Sequence, residues 1–543
     1  MNAAYKIITR NLGFGNLIRY ALGGLLIGLL NFGFIILTVN TIAMIVSGMY
    51  KSFSIKYAIE FCLIISSFIC IRLLLTKSLI RFSQTLSWKL RKNIIQTVLD
   101  SNYSIILERK SQIRTSLMYD ITVINDASLG SVEFLTALIL AMGCMGYLLY
   151  LSHLIFLITA LIIALGITLY YFSTTKNTIE FKKSHVQEGN FFTGLNDILL
   201  GLKEIYMSQK KRNDIFENKI NKVSKIAIEI NSRAYRRLLN NAIIGQVSLY
   251  ILIAFILLFL SLSGNFKPTI LINSVFTLIY LLGALQSIIN LIPSFSRAKT
   301  SSENIIELES YLRQHTRIHE PSDPPIIGHF SSLSTHQLTF NYGDAASFQI
   351  GPIDLQIVKG EVLFIYGGNG SGKTTLIQTI LGFFKPSSGD ICVNGLRINN
   401  ELDYYKSFYS VVFSDFYLFD YLIANENPDL NLWNYYANLF GIADKLSLDG
   451  NNYSTLELST GQRKRVALIT VLMEKKPILV LDEWAADQDP DFRGKFYTEI
   501  LPILKKEGRT IIAITHDDKY YNSADSLYKM ENGQLYLQNI EVI

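Results

Sequence analysis

Nine consecutive residues have the types and spacing to hold a polyphosphate: Gly367-Gly-Asn369-Gly370-Ser371-Gly372-Lys373-Thr374-Thr375. Glycines let neighbouring backbone N–H groups converge on phosphate oxygens, because no Cβ blocks the turn or the close approach. A helix that starts directly after such a loop adds the positive end of its dipole. Lys373 can neutralise β and γ phosphates, and the Thr374 hydroxyl can ligate Mg²⁺. The strand-like run Val362–Tyr366 precedes the loop and the helix-like run Leu376–Leu381 follows it. That is the context a phosphate-binding loop requires. Glycine-rich turns also occur in ordinary loops, but not with the whole pattern at a strand-to-helix junction.

A second apolar run, Ile478–Leu481, ends in Asp482-Glu483. A buried parallel strand would deliver both carboxylates to the sheet edge where ligands bind. There Asp482 can hold Mg²⁺ through water. Glu483 can orient or deprotonate an attacking water, an effect worth about 10²- to 10⁴-fold. His516 follows the apolar run Thr510–Thr515 and suits a contact to a γ phosphate. Each alone could be a strand end or a core histidine. Beside the glycine loop they are hard to read as structural only.

These residues sit in the less apolar part of the chain. The whole is 543 residues, half apolar and only 17% charged, with mean hydropathy +0.28. The apolar residues crowd into the first three hundred positions, which excludes a purely soluble enzyme, a disordered chain and a fibrous one. The net charge of +6 is small and lies largely in loops beside apolar runs, not on one folded face as in a nucleic-acid binder. No nucleic-acid partner is expected. Cys62, Cys70, Cys144 and Cys392 have no metal-binding spacing and are expected to be small buried hydrophobes.

A membrane-crossing helix needs roughly 20 apolar residues. Six stretches qualify: Tyr20–Val46, Tyr57–Leu75, Phe134–Leu151, Leu154–Phe172, Ala242–Leu262 and Thr269–Ile292. The first is too long for a signal-peptide core, so it is expected to stay. The connections on one side carry few basic residues: Lys51 and Lys56, then none in Ser152-His153, then Lys267. Residues 77–131 and 173–239 are rich in them, from Lys77 and Arg81 to Arg236 and Arg237. Basic loops stay inside, which places both termini in the cytoplasm. Both long inner connections keep helical spacing, as in Leu86, Leu90, Ile94 and Ile95. Residues 173–239 would reach about 100 Å as one helix, so a hairpin turning near Gly194 or Gly201 is expected. Its tip at Gly201–Glu204, and a second tip at Asn102–Arg109, are candidates for touching a cytoplasmic domain.

The last span bears a stripe: Asn273, Thr277, Tyr280, Gly283, Ser287, Asn290 and Ser294. Small residues at this spacing suit close helix packing. Tyr280, Asn290 and nearby Gln286 are larger than packing needs and are candidates for a substrate cavity. Further on, residues 315–325 are proline-rich and polar, a linker signal. Beyond them strand-like and helix-like runs alternate, as in an α/β domain. The expected organisation is an all-α six-helix transmembrane domain over 1–310, a linker over 311–325 and an α/β P-loop nucleotide-binding domain over 326–543.

Leu458-Ser459-Thr460-Gly461-Gln462 resembles the signature of ATP-binding cassette (ABC) proteins, which usually have Gly at the third position. Ser459 and Gly461 match the phosphate-contacting positions of that motif, with Gln462 beside them. Tyr342 matches the family's adenine-stacking aromatic, Asp489 the aspartate that ends the loop after the carboxylates, and His516 the switch histidine. The resemblance covers the whole chain, six spans and then one cassette, as in half-size ABC exporters. Asp482-Glu-Trp-Ala-Ala-Asp-Gln-Asp489-Pro490, Val412-Phe-Ser-Asp-Phe416 and Ile514-Thr-His-Asp-Asp518 resemble bacterial cyclic-peptide exporters. That group includes exporters of peptide microcins, syringomycin-type lipopeptides and pyoverdine precursors. Ser414 stands where the family has glutamine. Serine is shorter, so a Mg²⁺ contact there would run through water, or with help from Asp415.

The resemblance implies an ATP- and Mg²⁺-dependent exporter of the bacterial inner membrane, working by alternating access. In the family the signature of one cassette completes the ATP site of another, which implies a homodimer with Lys373 of one copy facing Ser459 of the other. The expected cargo is a peptide or peptide-like molecule, moved among membrane lipids. A lipid flippase or multidrug exporter shares every cassette motif. A non-transporting sensor or the partner in a heterodimer is an alternative of another class. About 19 residues precede the first span, so no leader-cleaving peptidase domain is expected there.

Overall fold

The computed structural model describes residues 14–46, 55–260, 268–316, 329–342, 348–398, 403–423 and 428–539. Contacts divide the chain into two units. The first comprises Met1–Ser101 and Ile105–His315, and the second comprises Asn102–Ser104 and Thr316–Ile543.

The first unit is helical. Its elements are α1 (Phe14–Val46), α2 (Ile55–Leu99), α3 (Tyr103–Thr115), α4 (Ile121–Leu151), α5 (His153–Leu200), α6 (Leu202–Tyr206), α7 (Gln209–Ile215), α8 (Lys222–Phe255) and α9 (Pro268–Gln314). Among the described residues four stretches are long and apolar enough to cross a bilayer: Leu22–Ile42, Ile55–Leu99, Tyr103–Leu151 and Thr269–Gln314. Two shorter apolar stretches, His153–Thr168 and Ile243–Leu258, overlap the fourth and fifth expected spans. Leu22, Leu26, Leu73, Leu74, Leu161 and Leu165 point outward and are exposed. In water that surface would be unstable, whereas hydrocarbon solvates it and leaves only the backbone to be satisfied internally.

Lipid as solvent also corrects the expectation that all four cysteines are buried. Cys144 and Cys392 are buried, but Cys62 and Cys70 are exposed on α2, whose outer face needs no protein cover. Leu86, Leu90 and Ile94 of α2 join a core with Ile121, Ile124 and Ile305, while Ile95 is 47% exposed. At about 100° per residue, Ile95 is turned off the stripe set by its neighbours.

Small residues set the closest helix approach. A Cβ on Gly24 would lie 2.7 Å from Leu135, and one on Gly28 would lie 2.6 Å from Ile139. Across the same contact, a Cβ on Gly143 would lie 2.8 Å from the Phe32 ring. Glycines on α1 and α4 thus let the two helices interlock, since apolar burial gives little preference between helices in lipid. A second core joins Cys144, Leu148, Ile155, Leu249, Ile256, Leu278 and Leu281 from α4, α5, α8, α9 and the turn after α8.

The helix α5 runs straight past Gly194 and stops at Gly201, where Ser208 then caps α7. The helix α9 continues to Gln314, so positions 311–314 of the expected linker are helical. The rest of that linker, from residue 317, lies outside the described residues.

The second unit is α/β. A four-stranded antiparallel sheet runs β2 (Gln349–Val358), β1 (Ser332–Asn341), β4 (Ser388–Val393), β5 (Leu396–Ile398). A six-stranded sheet runs β12 (Gln534–Gln538), β11 (Ser526–Glu531), β3 (Val362–Tyr366), β10 (Thr510–Ile514), β9 (Ile478–Asp482), β6 (Tyr409–Val412). Only β12 is antiparallel in that sheet. Every residue of β9 and β10 is buried, as expected for parallel strands covered on both faces. One face packs on α10 (Lys373–Ile380) and the antiparallel sheet. The other packs on α12 (Leu430–Leu439) and α13 (Thr460–Met473), after the short α11 (Asp403–Lys406) and the two-residue strands β7 (Leu448–Asp449) and β8 (Asn452–Tyr453). The helices α14 (Pro490–Lys495) and α15 (Leu501–Lys506) lie between β9 and β10 in the chain.

Gly28→Leu should overfill the α1–α4 contact. The expected cost is about 1–3 kcal/mol, read as a lower melting temperature of the detergent-purified protein, with ATP binding by the second unit unchanged.

Candidate nucleotide site

Strand register brings the chemistry together. Asp482 pairs with Ile514 across β9 and β10, Ile514 pairs with Ile365 across β10 and β3, and Val412 pairs with Leu481 across β6 and β9. The residues that follow these strand ends therefore share one sheet edge. They are the loop after Tyr366, Glu483 after Asp482, His516 after Ile514 and Ser414 after Val412.

The loop from Gly367 to Gly372 wraps around the Lys373 amine, which donates to Gly367 O at 2.9 Å and Gly368 O at 3.1 Å. Two glycines are obligatory. Gly367 has φ +155 and its Cβ would meet Met530 O at 2.1 Å, while Gly372 has φ +108 and its Cβ would meet Ile350 at 2.8 Å. Ser371 is buried and its Oγ makes no hydrogen bond, leaving a donor free in the loop. Lys373 is only 6% exposed. Burial pulls its pKa down, and the nearby Glu483 and Asp482 carboxylates oppose that. Asn369, Gly370 and Thr374 are exposed at the loop and helix start. Thr375 shares a 3.1 Å hydrogen bond with the Tyr342 hydroxyl. The Tyr342 ring packs edge-on against Phe340 and Phe384 and is 53% exposed, so one face is open to a planar base.

Asp482 is buried. Its Oδ2 accepts from Ser414 Oγ at 3.2 Å, and its Oδ1 has no hydrogen-bond partner. Burial raises its pKa first, the Ser414 hydrogen bond lowers it, and Glu483 and Asp415 raise it again. A buried carboxylate oxygen without a donor is an unmet cost, and a cation is what would meet it. The donor set fits Mg²⁺, which favours carboxylate, hydroxyl and water oxygens. Asp482 and Thr374 carry oxygens of that kind, and Ser414 is hydrogen-bonded to Asp482.

Glu483 has a backbone in the left-handed region, φ +50, an uncommon place for a side-chain-bearing residue. That turn sets its carboxylate 3.3 Å from His516 Nε2. Both side chains are partly exposed, so water can reach them. A carboxylate facing water, a histidine and an ammonium-lined loop can activate that water against a bound phosphate.

The signature segment is arranged differently. Ser459 caps α13 through a reciprocal pair: Gln462 N donates to Ser459 Oγ, and Ser459 N donates to Gln462 Oε1. Gly461 needs its missing side chain, because a Cβ there would meet Asp487 O at 2.8 Å. Asp489 caps α14 by accepting from Phe492 N at 2.9 Å and pairs with Arg465 at 2.7 Å. The Phe492 N–H and then Arg465 hold its pKa below the usual carboxylate range. Among the described contacts none joins Ser459, Gly461, Gln462 or Asp489 to the phosphate loop of the same chain.

Sequence reasoning passed over four side chains that hold the loop after Glu483. They are Lys464, Arg465, Gln488 and Arg493. The only signal was a run of cations, Arg463-Lys464-Arg465, directly after the signature, and runs of charge usually mark a solvated face.

The candidate cargo residues separate. A cavity of about 590 Å³ lies among α4, α5, α8 and α9. Gln286 lines it, with Gln246 and otherwise aliphatic, methionine or glycine residues. Tyr280 instead packs against the apolar core of the same helices, and Asn290 is exposed away from the described lining. At the start of the stripe, Asn273 and Thr277 are buried, with Thr277 Oγ1 donating to Asn273 O at 2.6 Å.

A family model described as "ABC transporter" matches residues 350–486. The chain is 32% identical over 410 residues to the ATP-binding protein SyrD of Pseudomonas syringae pv. syringae, 71% of each chain. It is 26% identical over 292 residues to the ATP-dependent lipid A-core flippase of Burkholderia orbicola (strain AU 1054), covering 50% of this chain and 47% of that protein. A solved bacterial Atm1-family ABC exporter with ATP bound has the same fold, with TM-score 0.79 over 97% of this chain and 96% of the other, at 17% identity.

Gly461→Ala should push the backbone at Asp487 away from α13. Nucleotide should still bind through the glycine loop, while steady-state hydrolysis falls about tenfold, since small displacements near reacting groups are costly.

Proposed function

This chain belongs to the ABC transporter family as a half-size exporter whose ATP hydrolysis is coupled to transport, and from that premise we propose that two copies of it export a peptide or peptide-like cargo. It is a multi-pass inner-membrane protein with its ATP domain in the cytoplasm.

The homodimer rests on the split site. The glycine loop, Asp482, Glu483 and His516 gather at one sheet edge, whereas among the described contacts none joins Ser459 or Gly461 to that loop. A second copy brings its Ser459 and Gly461 to the phosphates held by Lys373. Leu199, Leu200, Tyr206 and Met207 are exposed around the α5–α7 turn and give the helical unit an apolar tip.

In the ATP site, Lys373 and the loop N–H groups bind the β and γ phosphates. Asp482 and Thr374, with Ser414 to assist, would hold Mg²⁺, which would supply positive charge against those phosphates. Glu483 orients a water and takes its proton as the oxygen bonds to the γ phosphorus and the bond to the ADP oxygen breaks. His516 holds Glu483 and the γ phosphate in line. ATP binds the closed dimer more tightly than the open one, and that difference in affinity drives the cavity from inward- to outward-facing.

The single observation carrying the cargo class is the sequence from Asp482 to Pro490, which has the form of the cyclic-peptide exporters. The cavity lining supports an apolar or acylated peptide, because two glutamine amides are its polar side chains among the described residues. Those amides suit the peptide or ester bonds of such a cargo. The flippase relative favours a second reading, a lipid cargo.

Glu483→Gln should abolish turnover and leave a stable ATP-bound dimer, seen by size-exclusion chromatography with Mg-ATP. Turnover at the native rate would remove Glu483 from its role. In lipid nanodiscs, ATPase should rise several-fold with cyclic or acylated peptides and stay flat with added lipid A. The reverse pattern would select the flippase reading.

A further inference from the structure

Three cations help hold the loop between Glu483 and Asp489, the two carboxylates that flank it. Arg493 donates to Ala486 O at 3.0 Å and Gln488 O at 3.1 Å. Arg465 donates to Gln488 Oε1 at 2.8 Å and Asp489 at 2.7 Å. The third cation is the least expected. Lys464 is only 2% exposed, and a lysine is rarely so buried unless paired. Its amine donates to Glu483 O at 3.1 Å and pairs with Asp487 Oδ2 at 2.7 Å. The backbone closes around it, because the Trp484 indole N–H donates to Lys464 O at 2.9 Å. Trp484 is itself 1% exposed and packed on Phe496 at 4.4 Å.

Glu483 needs such a hold. Its φ of +50 is costly for a residue with a side chain. A conformation of that kind persists only where the surroundings over-determine it. Three bonds do so here: Glu483 N to Ile514 O at 3.1 Å, Lys464 to Glu483 O, and Ala486 N to Glu483 O at 3.3 Å. Of these, only the Lys464 bond is made by a side chain. It is also the one that ties Glu483 to α13, the helix that begins with the signature segment.

We propose that Lys464 is a positioning residue that fixes the backbone of Glu483 against the helix bearing Ser459 and Gly461, so that the catalytic carboxylate and the surface gripping the second copy's nucleotide move as one piece. The inference rests on Glu483 being the base. Lys464 is buried, and its amine is taken up by Glu483 O and Asp487 Oδ2. It acts through the carbonyl and the turn, and its charge is balanced by Asp487.

The test uses the full-length dimer in nanodiscs. Lys464→Met keeps the length and apolar stem but removes the donor and charge. The expected result is a kcat about tenfold or more below native, with KM for ATP within about twofold, because a misplaced base slows chemistry without weakening phosphate binding. Lys464→Arg, which keeps a donor, should recover part of that loss. In a Glu483→Gln background, Lys464→Met should still give the ATP-bound dimer. A native kcat for Lys464→Met would overturn the proposal. So would a loss of dimerisation and kcat together with a melting temperature lowered by more than about 4 °C, since that marks a fold defect. If Glu483→Gln alone keeps turning over, it is the base assignment that fails, whatever Lys464→Met does.

Discussion

Parallel pairing of β3, β10, β9 and β6 is the constraint on which the cassette's chemistry depends. Parallel strands start at one edge and end at the other, so each strand end delivers its next residue to a shared rim. The rim carries a glycine loop, two carboxylates, a histidine and a serine because strands of four or five residues in register end level with one another. Burial on both faces makes that register costly to shift, since a slip would turn buried aliphatics and Asp482 to the wrong side. The same burial leaves Asp482 Oδ1 without a donor and raises the carboxyl's pKa. The fold thus carries a local cost at the place where a cation and a triphosphate would relieve it.

Around that rim the molecule repeatedly uses backbone in uncommon conformations and then braces it. Gly367 and Gly372 have no Cβ where one would strike Met530 O or Ile350. Glu483 has a Cβ and needs hydrogen bonds instead. Gly461 is bare for a different reason, because the loop after Glu483 passes over it. The signature segment is therefore fitted to its own chain's loop as well as to any nucleotide. Ser459 shows the same double duty: its hydroxyl caps α13, which fixes where that hydroxyl points and presents the helix N-terminus outward, a good setting for a phosphate.

The helical unit follows another rule of solvent. Its outward leucines would be a liability in water and are ordinary in hydrocarbon. Helix association then depends on shape, and Gly24, Gly28 and Gly143 provide it. The cavity among α4, α5, α8 and α9 is lined by side chains of the same apolar kind. A lining of that kind discriminates weakly among apolar ligands and would leave orientation to the few amides present.

Patterns that repeat along the chain were readable without coordinates. The glycine loop, the strand ending in Asp482-Glu483, the long apolar runs and the alternation of basic connections rest on local chemistry, so order and spacing suffice to find them. Properties set by a neighbour distant in sequence were not. The exposure of Cys62, Cys70 and Ile95, the separation of Tyr280, Gln286 and Asn290 into core, cavity and surface, and the helical ending of α9 at Gln314 depend on which face each helix turns to its partners. Lys464 is the sharpest case: in sequence it is one cation in a run of three, and only the packing of α13 against the turn after β9 makes it a buried amine on the Glu483 carbonyl. The sequence by itself determined the kinds of group available and the period of each element. Tertiary structure alone decided which of those groups meet, because contact across a fold is a property of three-dimensional register that no local spacing records.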